Sequence, residues 1–131
     1  TVCRATGARS ARKSSRIQEL WQGWGEIARF SLEGARWPSV VVKHIQVPQP
    51  GGHLGGWDSD LAHARKLRSY QVEHNFYKNY LASLPRSVHF ARPIHLQRDV
   101  FVLEDLDAVG FPGRAPPKGS LADEPMTHCL R

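Results

Sequence analysis

The stretch that decides the fold is SVVVKHI, Ser39–Ile45, a run of β-branched residues with a lysine set into it. Valine and isoleucine fit the pleated, half-buried surface of a sheet, so this segment reads as the surest strand of the chain. A lysine there has a cost. Its ammonium must find a partner or reach water along its stem. Downstream, the helical pattern between Leu67 and Leu84 presents a matching oddity. Its apolar stripe runs through Leu67, Tyr70, Tyr77, Tyr80 or Leu81, and Leu84, with Glu73 inside it. Steps of three and four residues mark one helical face. A helix packed on the sheet, with Glu73 meeting Lys43, removes both problems.

Around these two residues the chain divides simply. Ile17–Trp21 and Glu26–Leu32 read as strands joined by a turn containing Gly23 and Gly25. Val40–Val47 is the third strand. PQPGGHLGGW, Pro48–Trp57, reads as a loop, after which Asp58 or Asp60 is suited to cap the long helix. The helix should stop before Pro85, because a residue preceding proline is held out of the helical region. Phe90–Leu96 and Val100–Leu103 read as a hairpin turning at Gln97–Asp99, and EDLD, Glu104–Asp107, ends its second strand. The expected fold class is α+β: a five-stranded antiparallel sheet with one long helix.

Charge sets limits on function. The 131 residues carry a formal charge of +6, with 40% hydrophobic residues. Arg4, Arg9, Arg12, Lys13 and Arg16 fall in the first sixteen residues, which hold no acid; the remainder carries 13 basic and 12 acidic residues. The basicity therefore reads as a property of residues 1–15, expected to be a disordered tail, and nucleic-acid binding through this segment and Arg65–Arg68 is a weaker reading. The Arg/Ser-rich composition also has traits of an organelle transit peptide; otherwise a cytoplasmic setting is expected. Cys3 and Cys129 give no disulfide framework, and the seven histidines include no i, i+4 pair, so no metal site is expected. No apolar run is long enough for a membrane span.

The order of parts is informative: glycine turn, strand lysine, helix glutamate, hairpin, acidic segment. It matches the small lobe of a kinase, in which a strand lysine meets both phosphates and a helix glutamate. IQELWQGWGEIARFSL, PSVVVKHI, RKLRSYQVEHNFY and VFVLEDLDAVGFPGR together resemble the ecdysteroid-kinase-like branch of the aminoglycoside phosphotransferase and choline kinase superfamily. The resemblance spans roughly Arg16–Arg131. It implies a kinase-like small lobe over 16–106, with 107–131 forming a hinge, a linker and the start of a large lobe. It implies ATP with Mg²⁺ as cofactor and a small-molecule alcohol as acceptor. Lys43 would contact the phosphates and Glu73 would hold it. Gln22, Gly23, Trp24 and Gly25 would cover the phosphates, and Glu104, Asp105 and Leu106 would meet adenine through backbone groups. Catalytic residues and metal ligands would lie in a large lobe beyond Arg131, since no matching catalytic loop occurs here. The expectation is therefore an ATP-binding lobe that is inactive alone and associates through exposed lobe surface, or a binding-only remnant.

Overall fold

A computed structural model describes residues 1–48, 57–85 and 87–113. In chain order it contains α1 (Val2–Thr6), β1 (Ser10–Glu19), β2 (Gly25–Glu33), β3 (Ser39–Ile45), α2 (Trp57–Asn75), β4 (Pro93–Leu96) and β5 (Val100–Glu104). The five strands form one antiparallel sheet in the order β1-β2-β3-β5-β4. The fold is thus α+β with one long helix, as the pattern predicts. Strand β3 lies at the centre because it is apolar on both faces, which suits a strand covered on both sides. Among the described residues no helix is long and apolar enough to cross a membrane.

Register fixes which side chains share a face. Ile27, Lys43 and Phe101 are cross-strand partners, and so are Ala28, Val42 and Val102. Because side chains alternate along a strand, these two rows define opposite faces. On the first face Leu67 and Tyr70 of α2, with Tyr77 just beyond its end, pack against Leu20, Trp24, Ile45, Phe101 and Leu103. On the second, α1 lays Val2 and Ala5 over Val40, Val42 and Val102, with Phe30, Trp37 and Ile94 completing the cluster. Val40, Phe101 and Val102 are fully shielded from water.

Two expectations are corrected here. Residues 1–15 are not a disordered tail: they form α1 and most of β1, and Ser10–Glu19 pairs along β2 with two bulges. An edge strand bonded on one side and solvated on both faces needs no apolar alternation, so its composition resembles that of an unstructured segment. Its charges also discourage pairing with another sheet. Lys13 pairs with Glu26 at 2.5 Å, and the Ser10 hydroxyl donates to Glu33 at 2.9 Å. The first strand therefore begins at Ser10, and Trp21 lies in the single 3-10 turn Trp21–Gly23 that follows it.

The second correction concerns the helix ends. Helix α2 already includes Trp57, so neither Asp58 nor Asp60 is its N-cap. After Asn75 it continues as a π turn, Phe76–Tyr80, and a 3-10 turn, Leu81–Ser83, before Pro85. The wider π turn shifts the stripe. Tyr80 is left 57% exposed, and Leu81, half-buried, holds the inward side instead. The glycine-rich loop at 49–56 and the segment 114–131, with the expected start of a further helix and Cys129, lie outside the described residues.

Candidate functional site

Lys43 sits mid-strand on the α2 face, 8% exposed. Its ammonium forms an ion pair with Glu73 of α2, which reaches down from the stripe between Tyr70 and Tyr77. The cation also lies 4.9 Å from the Tyr70 ring centre and 5.8 Å from that of Phe101. Ring faces carry negative potential, so both rings attract the ammonium. Burial first, and the Glu73 charge second, push the Tyr70 and Tyr77 phenols above their ordinary range. Neutral phenols beside the pair leave its charges balanced one to one.

The glycine turn lies at the β1–β2 end of the same sheet. Gln22, Gly23 and Gly25 all take positive φ, at 51°, 74° and 117°. Gly25 has a steric reason: a Cβ there would overlap the backbone carbonyl of His44 on β3. The turn is pinned by Gln46 N–H donating to Trp24 O at 2.7 Å and Leu20 N–H donating to Gly25 O at 2.9 Å. The amides of Gly23 and Trp24 donate to Leu20 O and Trp21 O, each at 3.1 Å, so both are engaged inside the turn. Trp24 is 3% exposed, edge-on to Trp21 and to His63 of α2. Its side chain is therefore core, and only its backbone can face a ligand.

At the opposite end of this face is an arrangement that the sequence reading missed. Arg29 of β2 donates to Asp105 at 2.7 and 3.1 Å and to Asp107 at 2.5 Å. The Ser39 hydroxyl also donates to Asp105, at 2.6 Å. Burial raises the Asp105 pKa. The hydrogen bonds from Arg29 and Ser39, the Arg29 charge and the Asp107 N–H outweigh it and hold the carboxyl below the usual range. Those same aspartate bonds raise the Arg29 pKa. The backbone after β5 turns tightly: Ala108 N–H donates to Asp105 O at 3.0 Å and Phe111 N–H to Leu106 O at 2.9 Å. Glu104 is elsewhere, its carboxylate 3.6 Å from His89 Nε2.

The structure thus brings Lys43 and Glu73 together, holds Gln22–Gly25 as a rigid turn beside them, and locks Asp105 by its side chain. It leaves the backbone of Glu104–Leu106 bordering the same face. Among the described residues no three His, Cys, Asp or Glu side chains gather in a way that could hold a metal ion. Compared with protein-family models, with curated proteins and with solved structures, the chain finds no match in any of the three.

Proposed function

We propose that this chain is the ATP-binding lobe of a small-molecule phosphotransferase, which passes phosphate from ATP to a substrate hydroxyl. The observation that carries the reading is the ion pair between Lys43 in the central strand and Glu73 in α2, on a sheet face that begins at a glycine turn. A lysine held in this way has a fixed direction, which is what phosphate contact requires. Phosphoryl transfer depends on positioning and charge neutralisation more than on covalent chemistry by the protein. In this reading Lys43 meets the α- and β-phosphates and Glu73 orients it. Gln22–Gly25 covers the phosphates by backbone, and the backbone of Glu104 and Leu106 borders the adenine.

The Arg29–Asp105 network supports the same reading. It fixes the segment after β5 by side-chain bonds, and the Asp105 and Leu106 carbonyls are held in the turn that follows, so this segment would border a base as a rigid edge. In this reading the groups that orient the hydroxyl and hold Mg²⁺ would come from a second, larger lobe. Exposed Val88, Phe90, Val109 and Phe111, close to the point where the chain leaves the sheet, are the surface such a lobe would cover. The Gly23 and Trp24 amides are engaged inside the turn, so phosphate contact would fall mainly to Lys43, both in this reading and in a second one in which the chain binds nucleotide without catalysis.

The test is a titration of a fluorescent ATP analogue with the full chain and with Lys43→Met. Saturable binding is expected, weakened about 10- to 100-fold in the variant, the loss of one charge-assisted bond. Absence of binding, or equal binding by both proteins, overturns the assignment. An ATP-consumption assay on a longer chain that carries a large lobe separates the catalytic reading from the binding-only one.

A further inference from the structure

Lys66 repeats the problem that Lys43 and Glu73 solve for each other, but without an answering charge. It stands two helical turns before Glu73 and one before Tyr70, so it belongs to the same inward stripe of α2. It is half-buried. Its ammonium lies 5.0 Å from the Tyr70 ring centre, and the Lys43 ammonium lies 4.9 Å from the same point. Glu73 pairs with Lys43. Among the described residues no carboxylate is within ion-pair reach of Lys66 or of its neighbour Arg65. Residues 49–56, which precede α2 in the chain, contain no acid.

A cleft of about 470 Å³ opens beside this cation, between α2 and the 3-10 turn Trp21–Gly23. Its size falls in the range of small-molecule sites, about 300–1,000 Å³, which combine an apolar lining with a few convergent polar groups. Trp21, Leu61 and Ala62 supply the apolar wall; Arg65, Lys66 and Ser69 supply the polar one. The Ser69 hydroxyl is occupied, donating to Lys66 O at 2.9 Å. The two cations therefore line the cleft with no anion between them.

We infer that this cleft binds a phosphate monoester carried on a flat apolar body. A phosphate monoester bears about −1.5 to −2 charges near neutral pH, which two cations balance, whereas a carboxylate would leave one of them unanswered. Lys66 meets the phosphate as a point charge, and the planar fork of Arg65 suits two of its oxygens. The body lies against Trp21, Leu61 and Ala62. The inference does not depend on the nucleotide reading, which assigns its phosphates to Lys43. The two places share the Tyr70 ring, so drawing the Lys66 ammonium toward a phosphate alters the packing around Lys43.

The experiment is a titration of the full chain with phenyl phosphate, followed by NMR shifts of the Lys66 and Ser69 amides and the Trp21 indole N–H. Saturable shifts at all three are expected. Phenol lacks the phosphate and inorganic phosphate lacks the ring; each should bind at least about ten-fold more weakly, the scale of one lost charged hydrogen bond or one lost apolar contact. Lys66→Gln should weaken phenyl phosphate about ten-fold and leave phenol unchanged. Arg65→Gln, at an exposed position where folding is not at stake, should weaken it in the same sense. Lys43→Met should have a smaller effect than either. Absence of saturable shifts at these residues, or equal binding of phenol and phenyl phosphate, overturns the inference. So does indifference to both Lys66→Gln and Arg65→Gln, or a loss in Lys43→Met as large as in Lys66→Gln, which would put the phosphate at Lys43.

Discussion

Lys43 of β3 and Glu73 of α2 form an ion pair in which the lysine side chain is 10% exposed and the glutamate 33%. The asymmetry determines what each deletion does. Removing the glutamate strands a buried cation, whereas removing the lysine leaves a carboxylate that can reach water. Glu73→Gln is expected to destabilise by about 1–3 kcal/mol, below the figure for a fully buried pair because Glu73 is partly solvated. Lys43→Met should cost less. The double variant Lys43→Met/Glu73→Leu should recover most of the loss, since apolar residues of similar volume often replace an ion pair without penalty. Urea unfolding of the three proteins checks the order. Stability regained without nucleotide binding would show that the pair is kept for ligand and not for the fold.

The Arg29–Asp105 network predicts acid sensitivity. The folded Asp105 pKa is lowered, so the carboxylate contributes stability that is present above its unfolded value, about 3.9. That contribution is lost as pH falls through the lower, folded value. Asp105→Asn should therefore flatten the stability profile in the acid range. Arg29→Gln should cost about 3 kcal/mol near neutral pH, because it leaves a carboxylate that is 3% exposed with Ser39 as its main donor. Thermal melts across pH values from neutral to acidic test both; an unchanged acid limb in Asp105→Asn would refute the network's role.

How much of this was legible in the sequence depended on whether the signal was local. Lys43 and Glu73 could be paired in advance because each breaks an apolar pattern, and a charge on an apolar face needs a partner. β3, the hairpin and the long helix follow from β-branched runs, turn residues and helical spacing. β1 was hidden because an edge strand takes its stability from backbone pairing with β2, which leaves no mark on its own composition. The Arg29–Asp105 contact joins residues 76 positions apart. Only the register of β2 against β3, and of β3 against β5, puts them on one face. Trp24 read as a turn residue beside the phosphates. Its burial against Trp21 and His63 depends on how α2 crosses the turn, which spacing alone does not specify.

The N-terminal segment supplies a third prediction. Val2 and Ala5 cover the central valines of the second sheet face, and β1 satisfies the edge of β2. Deleting residues 1–9 should remove the cover but keep the strand; deleting 1–15 should remove more than half of β1 as well. Loss of one or two apolar contacts at about 1 kcal/mol each corresponds to a fall of roughly 4–8 °C per kcal/mol in a domain of this size. The longer deletion should lower the melting temperature further and leave β2 free to pair with another chain. Calorimetry and sedimentation of both truncations decide this. Melting unchanged by removal of 1–15 would mean that the segment is dispensable after all.

The glycine turn gives the sharpest local test, because two glycines with similar φ differ in surroundings. Gly25 and Gly110 have φ of 117° and 101°, a region that side chains rarely adopt. A Cβ at Gly110 meets nothing within 4 Å, whereas one at Gly25 overlaps the backbone oxygen of His44. Gly110→Ala should therefore cost only the conformational strain, about 1–3 kcal/mol. Gly25→Ala must also push β2 away from β3, beside the contacts that pin the turn. It should exceed the Gly110 variant by at least about 1 kcal/mol, in the range of overpacking penalties, and weaken the Gln46–Trp24 bond. Denaturant midpoints measure the difference, and hydrogen exchange at the Gln46 amide reads the bond directly. Equal losses in the two variants, with Gln46 exchange unchanged, would mean that strain alone explains Gly25 and that the close approach of the two strands plays no part.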